Sequence, residues 1–185
     1  MMAVPGPLGR ACRGTDTAGT LLGMPRLITP DVRVWESFLA AVDEAADGGR
    51  QPITHDFVQF AADLRADEHT PRRPDLVPQS TWWWVDGPGG SPEYIGRISV
   101  RHRLTDRLRR LGGHIGYDVR PSHRREGHAT AMLAAVLPFA HGLGIDPALI
   151  TCDATNLASR RVIERNGGIF SDASDGTLRF WVPTG

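Results

Sequence analysis

Two short runs hold the residues whose types and spacing could do chemistry. The first, residues 114–132, reads HIGYDVRPSHRREGHATAM and sets a strand, a basic turn and a helix start in succession. Ile115, Tyr117 and Val119 alternate with Gly116 and Asp118 at period two, and Pro121 ends the pattern. Beyond Gly127, the residues Met132, Leu133, Val136, Leu137 and Ala140 recur at helical spacing. Arg124 to Ala129 therefore stands where the first unbonded amides of a helix emerge. Those amides and the positive end of the helix dipole attract phosphate. Gly127 and Ala129 keep bulk away from the backbone there, and Arg124 and Arg125 add charge. An ordinary strand-turn-helix with two solvated arginines would produce the same pattern.

The second run opens with Ala148 to Cys152, which reads as a buried strand, and continues through Asp153-Ala154-Thr155-Asn156 into a short helix. Thr155 or Asn156 suits its N-cap. Val162 and Ile163 form a small apolar face, and Asn166-Gly167-Gly168 suits a left-handed C-terminal cap.

The hexamer Arg124-Arg125-Glu126-Gly127-His128-Ala129 resembles the pyrophosphate-binding motif of the GNAT N-acetyltransferase superfamily: Gln or Arg, two residues, Gly, one residue, then Gly or Ala. The strand and Asn-led helix downstream resemble that superfamily's next elements in order and spacing. The resemblance spans Trp82 to Val182 and is strongest from Gly112 to Gly168. It implies an α/β fold with a mixed, mostly antiparallel central sheet, helices on both faces, and splayed strands forming an acyl-CoA cleft. It implies acetyl-CoA as cosubstrate, bound by Val119, Arg124, Arg125, Gly127, His128, Ala129 and Thr130, with Asn156 and Ser159 along the pantetheine arm. The implied reaction is N-acetylation: direct attack by a primary amine of a small molecule, amino-acid derivative or peptide, without a covalent enzyme intermediate. Backbone amides of residues 115–119 would steady the oxyanion.

Proton transfer is less closely specified. His114 opens the signature strand near the point where many members of the superfamily carry a Glu base, and an imidazole pKa of about 6.5 suits such a role. A strand-edge histidine with a structural hydrogen bond fits the residue as well. Tyr117, Asp118 and Glu93 are the other candidates. The helix position at which many members place a tyrosine, donor to the leaving thiolate, corresponds to Ile163 here. A thiol with a pKa of about 8.5 is a tolerable leaving group without a dedicated acid. Arg101, His102 and Arg103 form a basic stretch, readable as a solvated face or as part of a pocket for a carboxylate-bearing amine. A catalytically silent acyl-CoA-binding module, or transfer of another acyl group such as succinyl, is the alternative function.

Elements that would position these residues are legible around them. A chain of 185 residues with 41% hydrophobic content is enough for one α/β domain, here residues 25–185, preceded by a loose Gly- and Pro-rich tail over 1–24. Met24 could be the true start of translation. Residues 31–46 carry an amphipathic helix, and a second begins near Thr54 with Phe57, Phe60, Ala61 and Leu64 inward. Trp82-Trp83-Trp84 and the strand after Glu93 form a hairpin, whose tryptophans must alternate between faces. Pro138 predicts a kink or early end in the helix after the turn. Two strands flank Asp172 to Gly176.

Acidic and basic residues balance at 21 each, so no overall field points to nucleic acid or a membrane surface. The two cysteines, Cys12 and Cys152, do not suggest a disulfide framework, and the seven histidines show no metal-ligand spacing, so no metal is expected. Without a signal segment or a span-length apolar run, a cytoplasmic protein is expected. A homodimer is neither required nor excluded.

Overall fold

The hairpin of the three tryptophans forms the middle of the first sheet. In the computed structural model, which describes residues 24–45, 56–87 and 92–185, β2 (Gln79–Asp86) pairs antiparallel with β3 (Glu93–Arg101). β1 (Arg26–Ile28) flanks β2 and β4 (Ile115–Val119) flanks β3, in the order β1-β2-β3-β4. A second sheet runs β5-β7-β6, from β5 (Ala148–Asp153), β6 (Ile169–Ser174) and β7 (Thr177–Val182). Every pairing within the two sheets is antiparallel.

Pleating sends alternate side chains to opposite faces, which sorts the tryptophans between two cores. Trp83 is fully buried under α1 (Trp35–Ala45) and α2 (Phe57–Ala66), with its ring 5.3 Å from Phe38 and 5.7 Å from Phe57. Trp82 and Trp84 face the other way, toward α4 (His128–Gly142): Trp82 meets Phe139 at 5.1 Å, and Trp84 Nε1 donates to His128 Nδ1 at 3.3 Å. The larger core lies on this side and joins Ile98 and Ile115 to Met132, Leu133 and Val136 of α4, to Ile150 and Phe180 of the second sheet, and to Ile163 of α5 (Leu157–Arg165). Helices thus cover both faces, as the resemblance implies.

Local chemistry explains where elements begin and end, and where the sequence reading needs correction. The first helix opens with a turn of 3-10 helix, Val32–Val34, capped by Asp31. The second is capped by Asp56, whose carboxylate accepts from Val58 N at 2.9 Å; Thr54 lies outside the described residues, as does the tail over 1–23. α4 does not stop at Pro138 but continues to Gly142. Pro138 and Ala134, four residues before it, both sit on the solvent side. Water can therefore satisfy the carbonyl that loses its partner, while Val136 and Ala140 hold the helix to the core. Part of the basic stretch forms a short helix, α3 (Asp106–Arg110), capped by Thr105. α5 ends in a Schellman motif: Gly168 N bonds Ile163 O at 3.0 Å and Gly167 N bonds Glu164 O at 3.1 Å.

The two sheets meet where β4 and β5 begin. His114 N donates to Leu149 O at 2.7 Å, and Leu149 N returns a hydrogen bond to the His114 ring at Nδ1, at 2.9 Å. Beyond this point no ladder joins β4 to β5, so the strands are splayed. The pin is tightly built. A Cβ on Gly113 would stand 2.4 Å from the Leu149 carbonyl oxygen, and its φ of +59° is itself unfavourable to other residues. Arg101 braces the approach by donating to the carbonyls of Gly112 and Gly113 at 3.0 and 3.1 Å.

Replacing Gly113 by Ala must therefore push the strands apart or twist the loop. We expect a loss of about 1–3 kcal/mol, measured as a lower midpoint in urea unfolding. The His114 ring provides a second check. Burial, aided by the charges of Arg109 and Arg101, lowers its pKa to about 4, below the unfolded value of about 6.5. The folded ring stays neutral where the unfolded chain binds a proton. Its stabilising contribution is thus complete above pH 6.5 and is lost as pH falls from about 6.5 toward 4. His114→Asn keeps an acceptor without the titration. The drop in unfolding free energy between pH 7 and pH 5 should be smaller in this variant than in wild type, and an equal drop would contradict the assignment.

Candidate active site

The basic turn ends at an uncapped helix. Gly127 is the N-cap of α4, with φ of +90° and no side chain to bond the amides of His128, Ala129 and Thr130. The first helical bond runs from Ala131 N to Gly127 O at 3.1 Å. Arg125 is also left-handed, at φ 71°, and such residues turn neighbouring N–H groups into anion-binding concavities. A Cβ on Gly127 would touch nothing within 4 Å, so the space before the turn is open. Arg124 and Arg125 are exposed beside it, with Arg124 Nε bonded to Val119 O at 3.1 Å. The His128 ring is an anchor. Nδ1 accepts from Trp84, and Nε2 meets Glu126 Oε2 at 3.2 Å, which holds the turn to β2. These features fit a diphosphate.

Behind the turn, the splayed gap has β4 as one wall and α5 as the other. Asn156 caps α5, its Oδ1 accepting from Ser159 N at 3.0 Å. Tyr117 reaches across the gap, and its hydroxyl lies 2.8 Å from Ser159 Oγ. Burial, only partly opposed by that hydrogen bond, pushes the phenol up to about 12, so it is protonated at neutral pH. Ile163, one turn further along α5, is fully buried. Thr130 ties the two helices through its carbonyl, which accepts from Asn166 Nδ2 at 3.3 Å. Cys152 is a buried free thiol whose pKa burial raises, while Cys12 lies outside the described residues.

The opposite face of β4 carries charge. Asp118 stands across from Arg97 in the register and accepts from its Nε at 2.7 Å. Arg120 donates to Glu44 Oε1 at 2.7 Å and lies 3.4 Å from Glu93, which is also near His123. The Arg120 guanidinium holds Glu44 down at about 2. Around these pairs is a cleft of about 250 Å³, floored by Phe38, Ala41, Val42 and Tyr94 and bordered by Asp118, Val119 and Arg124. Spacing along the chain does not link Glu44 or Arg97 to this place; only the packing of α1 on the sheet brings them there.

Not every sequence candidate joins the site. At about 3.3 Å per residue, His114 lies roughly 16 Å along the strand from Val119. Its ring bonds the Leu149 amide at the closed end, so it is not grouped with the turn, the Tyr117–Ser159 pair or Asp118. Arg101 and His102 also belong to the closed end, bonded to Gly112 and Gly113 and to Ser80, and do not border the cleft.

A family model for the acetyltransferase (GNAT) domain matches residues 50–169, while no curated protein matches the sequence. The fold is similar to the microcin C7 self-immunity acetyltransferase MccE, solved with acetyl-CoA and AMP, at TM-score 0.58 and 13% identity over 86% of this chain and 92% of that one. It is similar to an acetyltransferase of Agrobacterium tumefaciens, at TM-score 0.57 and 16% identity over 95% and 98%. The GNAT domain of S. lividans PAT gives 0.55 and 17% over 86% and 89%. At such identities the structures speak for the fold alone, but the family match covers well over half of the sequence. The chain belongs to the GNAT acetyltransferase family.

Proposed function

We propose that the protein is an acetyl-CoA-dependent N-acetyltransferase that passes the acetyl group directly to a primary amine. The observation that carries this reading is the uncapped start of α4 opening beside a strand pair joined only at its far end. Acetyl-CoA supplies an activated thioester. The amides of His128, Ala129 and Thr130, with Arg124 and Arg125, hold its diphosphate, and Asn156 and Ser159 line the arm. Val119 presents backbone at the open end of β4, where an amide can steady the carbonyl oxygen as it gains charge.

Proton traffic divides between the faces of β4. As the amine nitrogen bonds the carbonyl carbon, it gives its proton to Asp118. As the carbon–sulfur bond breaks, the sulfur takes a proton from the neutral Tyr117 hydroxyl, supported by Ser159; solvent then restores both groups. This replaces His114, whose ring is committed to the strand pin, and gives the acid role to a residue of β4 in a chain with Ile163 on α5. The nucleotide end, remote from the chemistry, positions the reacting end.

Isothermal titration with acetyl-CoA tests the cofactor site. Wild type should bind saturably, Gly127→Glu should not, and Gly127→Asn, which tolerates the left-handed backbone, should retain binding; equal affinities in wild type and folded Gly127→Glu would overturn the reading. Tyr117→Phe should lower kcat by about 10²-fold with acetyl-CoA affinity little changed. An unchanged kcat would remove Tyr117 from the chemistry.

A further inference from the structure

The cleft on the α1 side opens onto the same end of β4 that the preceding reading assigns to the thioester, and this inference rests on that reading. Val119 faces both regions: its side chain packs toward the α4 core while the residue borders the cleft. A donor entering beside α5 and an acceptor entering beside α1 would therefore meet at Val119. The cleft's chemistry then describes the acceptor.

Its charge is paired. Arg97 balances Asp118, and Arg120 balances Glu44, with Arg124 at the rim making no ion pair among the described residues. Arginines outnumber carboxylates in this lining, so it offers no field for a polyamine. The Arg97–Asp118 pair instead presents adjacent positive and negative groups. Asp118 takes the Nε donor of Arg97, and a guanidinium has five N–H donors in a fixed fork suited to a second carboxylate. A carboxylate likewise accepts several bonds at once, so holding Arg97 is compatible with receiving an amine. The complementary molecule carries an amine and a carboxylate close together.

The floor decides the rest. Phe38, Ala41, Val42 and Tyr94 favour an apolar body, and about 250 Å³ lies below the roughly 300–1,000 Å³ usual for drug-sized ligands. We infer that the acceptor is a free α-amino acid with an apolar side chain, its amine facing Asp118 and its carboxylate facing Arg97. The side chain rests on α1.

Thiol release from acetyl-CoA would be followed with leucine, leucinamide, isopentylamine, spermidine and a peptide with N-terminal leucine. Leucine should exceed its amide and isopentylamine in kcat/KM by about tenfold or more. Arg97→Gln should narrow that ratio to roughly twofold while leaving acetyl-CoA binding unchanged. Equal use of leucine and isopentylamine, a preference for the peptide or spermidine, or a ratio untouched by Arg97→Gln would overturn the inference. If acetyl-CoA binds but no amine releases thiol, the transferase reading falls, and titration of leucine into CoA-loaded protein decides this one. If acetyl-CoA does not bind, the same titration uses the free protein. In either case saturable binding weakened by Arg97→Gln upholds the amino-acid site, and no binding, or binding that Arg97→Gln leaves unchanged, overturns it.

Discussion

The structure depends on β4 and β5 being hydrogen-bonded at one end and apart at the other. A strand edge carries backbone donors and acceptors that must be satisfied by something. At the closed end that need is met by an unusual substitution, in which the imidazole of His114 stands in for a carbonyl and receives the Leu149 amide. Gly113 allows the close approach, and Arg101 occupies the carbonyls of the preceding loop. Past Ile115 the outer edge of β4 has no strand partner among the described residues. That edge gives a thioester-bearing arm something to bind in the proposed reaction.

Period-two alternation lets this one strand serve two compartments. Ile115, Tyr117 and Val119 join the core shared with α4 and α5, while Asp118 turns to the α1 side and its partner Arg97. The phenol and the carboxylate are neighbours in sequence but lie on opposite faces. In the proposed chemistry a proton donor and a proton acceptor are thereby kept apart without any special backbone geometry. The family resemblance places a tyrosine on the helix; in this chain that position is Ile163, and the hydroxyl beside Ser159 is that of Tyr117 on the facing strand.

The turn is equally dependent on distant contacts. An uncapped helix end with a left-handed N-cap is intrinsically loose, yet His128 ties it to Trp84 of β2 and to Glu126 within the turn. Asn166, at the end of α5, bonds Thr130 and fixes the start of α4 relative to the helix across the gap. The three-tryptophan run therefore has a role beyond packing: Trp83 closes the α1 core, while Trp84 secures the start of α4 through His128.

The sequence alone was enough for the order of elements apart from β1 and α3, for the strand-turn-helix around Gly127, for the Asn-led helix and for the sharing of tryptophans between faces. Each of these is written in local periodicity and in residues with particular backbone preferences. It was enough for the family as well, because the turn and the Asn-led helix occur in the required order. It was insufficient for the side-chain partnerships. His114 could be read as a base because its type and place in the strand suited one; the competing Leu149 amide lies 35 residues away and approaches only when the two sheets meet. Pro138 suggests a kink or an early end because a local rule does not include the core that holds the next turn in place, and the helix continues to Gly142. Arg101, His102 and Arg103 are readable as a solvated face or as part of an acceptor pocket; Arg101 and His102 bond at the closed end instead, and the cationic wall of the cleft comes from Arg97, Arg120 and Arg124. Local hydrogen bonding and hydrophobic period are properties of a segment, so sequence determines them. The surroundings of a charge and the second partner of a ring nitrogen depend on segments far apart in the chain, and only tertiary packing decides them.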